Sequence, residues 1–403
     1  MILVSNPTGS NVIKALLTNL EKNNLLYKFE TCVAINKNNI LIRNLPKKIK
    51  DELIRRYYPI NQNKISQNKP SEFLRVLLQR LDISRFSRTE KNLASNYQAY
   101  KILDKRVAKK IPKLKDKISG VFCTEDCALE TFKEAKKYGL KCYYELPIGY
   151  WREGKKIQQE ESKIKPEYAS TMPLIKDSLK KLKQKDKELE LADVIFVPSS
   201  FVKETLKDVK TKAKIIINPF GVEKTKNKKT INKKGKLKLI YVGSITQRKG
   251  ISYLFDAMKK LENKAKLTVI GLKNNKNKRV NEELSKHRYI PSLPNKKIIE
   301  EMRKHDLLVF PSLFEGFGLV ILEAMSQGLP VISTKNTAAR EIIEDGKDGF
   351  IVPIRSSTEI VKKINKIYKD RKKLEKMSLA AQRKSEKFTW EKYGSKIIKE
   401  IRK

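Results

Sequence analysis

The sequence predicts an α/β protein built from two doubly wound, parallel-sheet domains facing a central cleft. Three observations predict it. The 403 residues suffice for two substantial cores. The second half alternates apolar strands with amphipathic helices over short connections. The first half repeats that character less regularly, and such βαβα order implies parallel strands joined by right-handed crossovers.

Taken in order, the strand candidates of the first half are 2–5, 29–34, 118–123, 142–146 and 194–197, with helical patterns over 11–23, 71–81, 129–138 and 173–192. An apolar run at 215–217 then meets the turn residues Asn218-Pro219-Phe220-Gly221-Val222 and a lysine-rich linker, which marks the domain boundary. Beyond it, 237–242 reads as a strand ending at Gly243, and Ile251, Leu254, Phe255, Met258 and Leu261 recur at helical spacing. Further strands fall at 267–271, 307–310 and 331–334, with helices near 296–305 and 319–327. Two Rossmann-like halves follow: a first domain over 1–219, a second over 220–385, and a last segment, 386–403, that crosses back to the first.

Composition bounds the function. Hydrophobic residues make up 39% of the chain, as in a globular protein, and no apolar run approaches the roughly 18 to 20 residues that span a bilayer. The start, Met1-Ile2-Leu3-Val4-Ser5-Asn6-Pro7, lacks a basic n-region and a long apolar h-region, so a cytoplasmic protein is expected. Its four cysteines lie in the first half and both histidines in the second, which argues against a Cys/His zinc site and for reduced structural thiols. The net charge of +44 fits either a solvated lysine-rich surface or a peripheral position on an anionic inner membrane face. The lysines are spread through both halves, which favours the solvated surface. Nothing resembles a zinc finger, KH loop or aromatic RNP run, so no nucleic-acid partner is expected.

Chemistry concentrates in the run from Phe314 to Pro330. Leu307-Leu308-Val309-Phe310 reads as a buried strand stopped by Pro311-Ser312, so Glu315, Gly316, Phe317 and Gly318 fall at its carboxyl end, where open α/β sheets bind ligands. Glycines there let backbone N–H groups approach an anion, and the helix opening at Leu319 points its positive end at the same spot. Glu323 follows eight residues after Glu315, inside an apolar run where a carboxylate is costly unless paired. Gly243-Ser244-Ile245-Thr246-Gln247-Arg248-Lys249-Gly250 ends another strand and carries adjacent cations suited to a diphosphate. Tyr289-Ile290-Pro291-Ser292-Leu293-Pro294 is either a backbone edge for a nucleobase or a plain loop.

These motifs, with Ala339-Arg340-Glu341-Ile342-Ile343 and Gly346-Lys347-Asp348-Gly349-Phe350, resemble the family 4 retaining glycosyltransferases of GT-B fold, also described as glycosyl transferases group 1. The likeness is dense over 237–353, and its Glu-x7-Glu pattern is specific in that company. It implies a hexosyltransferase using a nucleoside-diphosphate sugar as co-substrate, with no other cofactor. By it, Arg248 and Lys249 bind the diphosphate, Glu315 holds the donor sugar near the anomeric centre, the Gly316 to Leu319 backbone contacts sugar and phosphate, and Glu323 takes the ribose. Gly243 and Ser244 belong to the same donor site, as does Leu293. Gly9, in Asn6-Pro7-Thr8-Gly9-Ser10-Asn11, lines the crevice near the phosphates.

Two departures stand out. Many relatives have Arg after the first glycine, where this chain has Ser244, and many have an active-site His in the first domain, where this chain has none. At the comparable place stand Glu125 and Asp126, which either orient the acceptor and relay its proton or simply open a helix. Tyr150 and Trp151, after another strand, present aromatic groups suited to an acceptor sugar. The chain contains no Asp-x-Asp triplet, so metal is not required in this picture. The expected partner is a glycan, lipid-linked or small-molecule acceptor. The alternative is a non-catalytic GT-B scaffold that binds an anionic membrane or polyanion.

Overall fold

A computed structural model describes residues 1–36, 53–67, 95–172, 177–225, 229, 231 and 234–403. The helix expected over 71–81 lies outside the described residues, as does the start of the one expected over 173–192. Two sheets organise the chain. The first contains β1 (Ile2–Ser5), β2 (Leu26–Thr31), β3 (Ile65–Gln67), β4 (Gly120–Thr124), β5 (Lys141–Glu145), β6 (Val194–Val197) and β7 (Lys214–Ile217), in the order β3-β2-β1-β4-β5-β6-β7. The second contains β8 (Leu237–Val242), β9 (Ala265–Ile270), β10 (Arg288–Ile290), β11 (Leu307–Phe310), β12 (Val331–Thr334) and β13 (Gly349–Val352), in the order β10-β9-β8-β11-β12-β13.

Every pairing between these strands is parallel. A parallel sheet is covered on both faces, which is why β11 reads as an unbroken apolar run and β8 is interrupted only by Lys238. Strand order reverses between β1 and β4 in one sheet and between β8 and β11 in the other. Ligand crevices in this architecture open at the carboxyl ends of strands flanking such reversals.

Some elements differ from the sequence reading. The strand β2 begins at Leu26, directly after Asn24 turns the chain with φ 55, so Val33 and Ala34 fall beyond its end. The short edge strand β10 takes up Tyr289 and Ile290, with Tyr289 opposite Val269. The stretch Trp151–Ile164 is a helix, followed by a 3-10 turn at Pro166–Thr171. All four cysteines are buried and outside any disulfide, and burial pushes the Cys123, Cys127 and Cys142 thiols above the ordinary range, Cys142 to about 12. Among the described residues no helix is long and apolar enough to cross a membrane.

The hinge and the carboxyl end close on each other. Phe220 packs on Phe317, Trp390 and Tyr393 with centroids 5.0, 6.4 and 5.9 Å away. The final helix, Trp390–Ile401, packs against Asn11–Lys22, where Gly394 lies over Asn19 and Asn19 Nδ2 donates to the Trp390 carbonyl at 3.2 Å. Tyr393 then donates to buried Glu145 at 2.6 Å, tying this helix to the end of β5.

Burial raises the Glu145 carboxyl to about 7, although the Tyr393 hydroxyl opposes the shift. Below the usual carboxylate pKa of 4.5 both folded and unfolded states hold the proton, and stability falls as pH rises from there towards 7. The shift is worth about 3 kcal/mol as an upper bound. Glu145→Gln keeps an acceptor for Tyr393 and cannot ionise. It is expected to flatten the pH dependence of unfolding between 4.5 and 7, and an unchanged slope in chemical denaturation would refute this assignment.

Candidate active site

The two loops flanking the β8/β11 reversal carry the strongest chemistry. Arg248 and Lys249 lie on the one-turn 3-10 helix Gln247–Lys249, which ends at Gly250 in the left-handed region. The neighbouring loop is stitched to it: Leu313 N donates to the Arg248 carbonyl at 2.9 Å and Arg248 Nη1 donates to the Phe314 carbonyl at 2.7 Å. Asn336 Nδ2 in turn holds the Leu313 carbonyl at 2.8 Å, and Thr334 Oγ1 holds that of Ser312. These supports were not read from the sequence, where β12 and its following turn look like plain structure.

Glu315 stands between the cations. Its Oε2 contacts Lys249 Nζ and lies 3.5 Å from Arg248 Nη1, while its Oε1 accepts from the Gly316 amide at 3.3 Å. Lys249 Nζ also sits 4.8 Å from the centre of the Phe310 ring. Burial first, and the Arg248 guanidinium second, push the Lys249 ammonium well below its ordinary value. Burial likewise lowers Arg248. Two desolvated cations share one carboxylate here, so an added polyanion gains strongly from the site.

Gly316 has a role that the sequence did not disclose. A Cβ there would run into the Pro147 backbone, so its bareness serves the approach of the first domain. Gly149 N donates to the Glu315 carbonyl at 3.4 Å and Ser199 Oγ to the Gly316 carbonyl at 2.6 Å. Gly318 adopts φ 72 and forms the N-cap of the helix Leu319–Ser326, a conformation that disfavours other residues. The Phe317 ring is buried against Phe220, leaving only its backbone to face a ligand.

Glu323 and Leu319 line a cleft of about 470 Å³ between the helices Leu319–Ser326 and Asn11–Lys22, with Asn11, Lys14, Asn295 and Arg303. Asn295 Nδ2 donates to Glu323 at 3.0 Å, and burial raises the Glu323 carboxyl against that opposing bond. Leu293 is half-buried just before Asn295, Ser244 is exposed, and Gly243 is half-buried. Gly9 packs against the Arg55 backbone on the β1 loop, next to the helix that lines the cleft. A larger cleft, about 680 Å³, opens at the amino ends of β8, β9 and β10 and contains none of these residues.

The first-domain candidates are differently disposed. Glu125 and Asp126 follow β4 at the other reversal but pair with buried Lys185, at 2.8 and 3.3 Å, rather than standing free. Burial raises the Glu125 carboxyl, Lys185 opposes this, and Asp126 adds to it. Asp126 adopts φ 68, and its amide donates to Glu188 at 3.0 Å. Tyr150 is buried with its hydroxyl on Asp186, so it offers no open sugar platform. Trp151 is half-buried, with Nε1 2.9 Å from the same carboxylate and the Arg152 guanidinium over its ring. Lys185 and Asp186 belong to the helix Leu179–Leu191, whose charged run hid them as an ordinary solvated face. Among the described residues no group of three or more His, Cys, Asp or Glu is placed to hold a metal.

Two facing parallel-sheet domains, with cations and carboxylates on the loops of the second at its strand reversal, define a protein of GT-B fold. Residues 221–384, which make up the second domain, match the family model described as Glycosyl transferases group 1. The chain is 41% identical over 107 residues to a sucrose synthase of Melioribacter roseus, covering 25% of this chain and 13% of that protein. It is 30% identical over 205 residues to an uncharacterised glycosyltransferase of Methanocaldococcus jannaschii, covering 50% and 57%. The matches thus span well under two thirds of these curated relatives. Among solved structures, sucrose-phosphate synthase from Thermosynechococcus elongatus aligns with TM-score 0.71 at 13% identity, covering 100% of this chain and 98% of that one. Anabaena HepE in complex with UDP aligns with TM-score 0.64 at 16% identity, covering 99% of each. At such identity the structural likeness establishes the fold.

Proposed function

We propose that the protein is a retaining, family 4 glycosyltransferase that moves a sugar from a nucleoside-diphosphate sugar to a hydroxyl of a glycan, lipid-linked or small-molecule acceptor. The observation that carries the reading is the meeting of Arg248, Lys249 and Glu315 at the strand reversal of the second sheet. The two cations take the diphosphate and stabilise the charge that grows as the nucleoside diphosphate leaves, doing the work otherwise given to a divalent ion. Glu315 accepts sugar hydroxyls, and Glu323, in the adjoining cleft, accepts those of the ribose.

The commitment of Glu125 and Asp126 to Lys185 favours a same-face substitution in which donor phosphate, rather than a first-domain carboxylate, deprotonates the acceptor. The bond from the acceptor oxygen to the anomeric carbon forms as the bond to the phosphate oxygen breaks, and the acceptor proton passes to that phosphate. A lysine near an anionic surface contributes about 1 kcal/mol, so the charge of +44 suits a cytoplasmic enzyme meeting a lipid-linked acceptor at the inner membrane face.

The decisive test is a thermal-shift panel of nucleotide sugars followed by assay of nucleoside diphosphate release. One base and sugar should raise Tm in the manner of RT ln(1 + [L]/Kd) and support transfer. Failure of every donor to bind, together with salt-sensitive binding to anionic vesicles, would establish the scaffold instead.

A further inference from the structure

We infer that Glu161 is a positioning residue for the phosphate-binding cations, acting through Gln247, and that the segment from Trp151 to Thr171 thereby straps the donor loop to the acceptor side of the cleft. The inference rests on the donor-site reading above. Glu161 is fully buried, where a carboxylate is costly unless paired and hydrogen-bonded. It accepts from Gln247 Nε2 at 2.7 Å and Tyr253 OH at 2.8 Å through Oε1, and from Arg355 Nε at 2.8 Å through Oε2. All three donors come from the second domain, whereas Glu161 belongs to a helix in the half of the chain read as the first. It also lies outside the segment matched by the family model.

Gln247 is gripped at both ends by this strap. Its side chain meets Glu161 and Ser252, and its backbone amide donates to Thr171 Oγ1 at 2.9 Å. Gln247 opens the three-residue turn that carries Arg248 and Lys249, and a turn so short has poor internal hydrogen bonds. The aim of both cations therefore depends on outside support. Arg355 adopts φ 63, an unfavourable region for a side-chain-bearing residue, with its guanidinium on Glu161 and, at 3.1 Å, on Glu160. Lys165 to Asp256 at 3.0 Å and Asn277 Nδ2 to the Glu167 carbonyl at 2.9 Å continue the attachment. At its other end the strap begins with Trp151 and Arg152 on Asp186 of the first domain.

The test is calorimetric binding of inorganic pyrophosphate, which reads the cations without a base or sugar, alongside kcat for the donor found above. Glu161→Gln, nearly isosteric, is expected to weaken pyrophosphate binding by about fivefold and to lower kcat by about tenfold, since preorganised charge counts most in the transition state. Thr171→Val, which removes the other grip on Gln247, should act in the same direction with little loss of Tm. In the Lys249→Ala background Glu161→Gln should cost less than it does in the wild type, since only Arg248 is then left to be aimed through Gln247. A lowered Tm with unchanged pyrophosphate affinity and kcat in Glu161→Gln would make the residue merely structural and overturn the inference. Pyrophosphate binding by the wild type without sugar transfer would refute the activity alone, and absence of that binding would overturn the cation site and this inference together.

Discussion

Lys249→Ala is expected to lower the rate of sugar transfer by about 100- to 1,000-fold, the scale on which loss of one preorganised stabiliser of developing charge is felt. Lys249 is 9% exposed, touches Glu315 and lies over Phe310, so its charge acts in a poorly solvated site. Arg248 cannot replace it, being tied to the Phe314 carbonyl and 3.5 Å from Glu315. Removal leaves Glu315 with Arg248 at 3.5 Å as its remaining cation, so Tm should fall as well, but by far less than would account for the loss of rate. Initial rates with the identified donor, set beside thermal denaturation, check both halves. A variant that keeps the wild-type rate would dismiss Lys249 from the site.

Lys185→Met is expected to destabilise the fold by about 3 to 5 kcal/mol at neutral pH, because it leaves Glu125 and Asp126 in a buried place without their cation. Burial works against the Lys185 ammonium, and its two carboxylate partners outweigh that and hold it above its ordinary value. The loss should shrink as pH falls towards 4.5, since Glu125, already raised by burial, then takes up a proton in both the folded and unfolded chain. Denaturant unfolding at pH 8 and pH 5 measures this directly. Unchanged stability combined with lost transfer would return Glu125 and Asp126 to a catalytic role.

Legibility varied with the range of the interaction. Strands β1, β6, β8, β11 and β12 fall at the bounds their apolar runs predict, because a strand buried on both faces writes itself as consecutive hydrophobic residues. The short edge strands β3 and β10 carry no such run and were not read as strands. At the site, Glu315 and the cations were readable because turn residues after a buried strand mark its ligand-binding end. Lys185 and Asp186 were not, because their neighbours in the chain are equally charged and nothing local distinguishes a lysine facing two buried carboxylates.

From sequence alone came the two-sheet α/β class, the Glu315 to Glu323 element and the adjacent Arg248-Lys249 pair, all set by residues within a few positions of one another. Tertiary structure decided the rest. Only the folded chain shows that Gly316 is bare to admit Pro147, that Tyr150 is buried on Asp186, and that Glu161 reaches Gln247 from 86 residues away. Each depends on two distant segments meeting in a low-dielectric interior, where a missing Cβ or a single buried charge decides the packing, and the spacing of residues along the chain carries no record of that meeting.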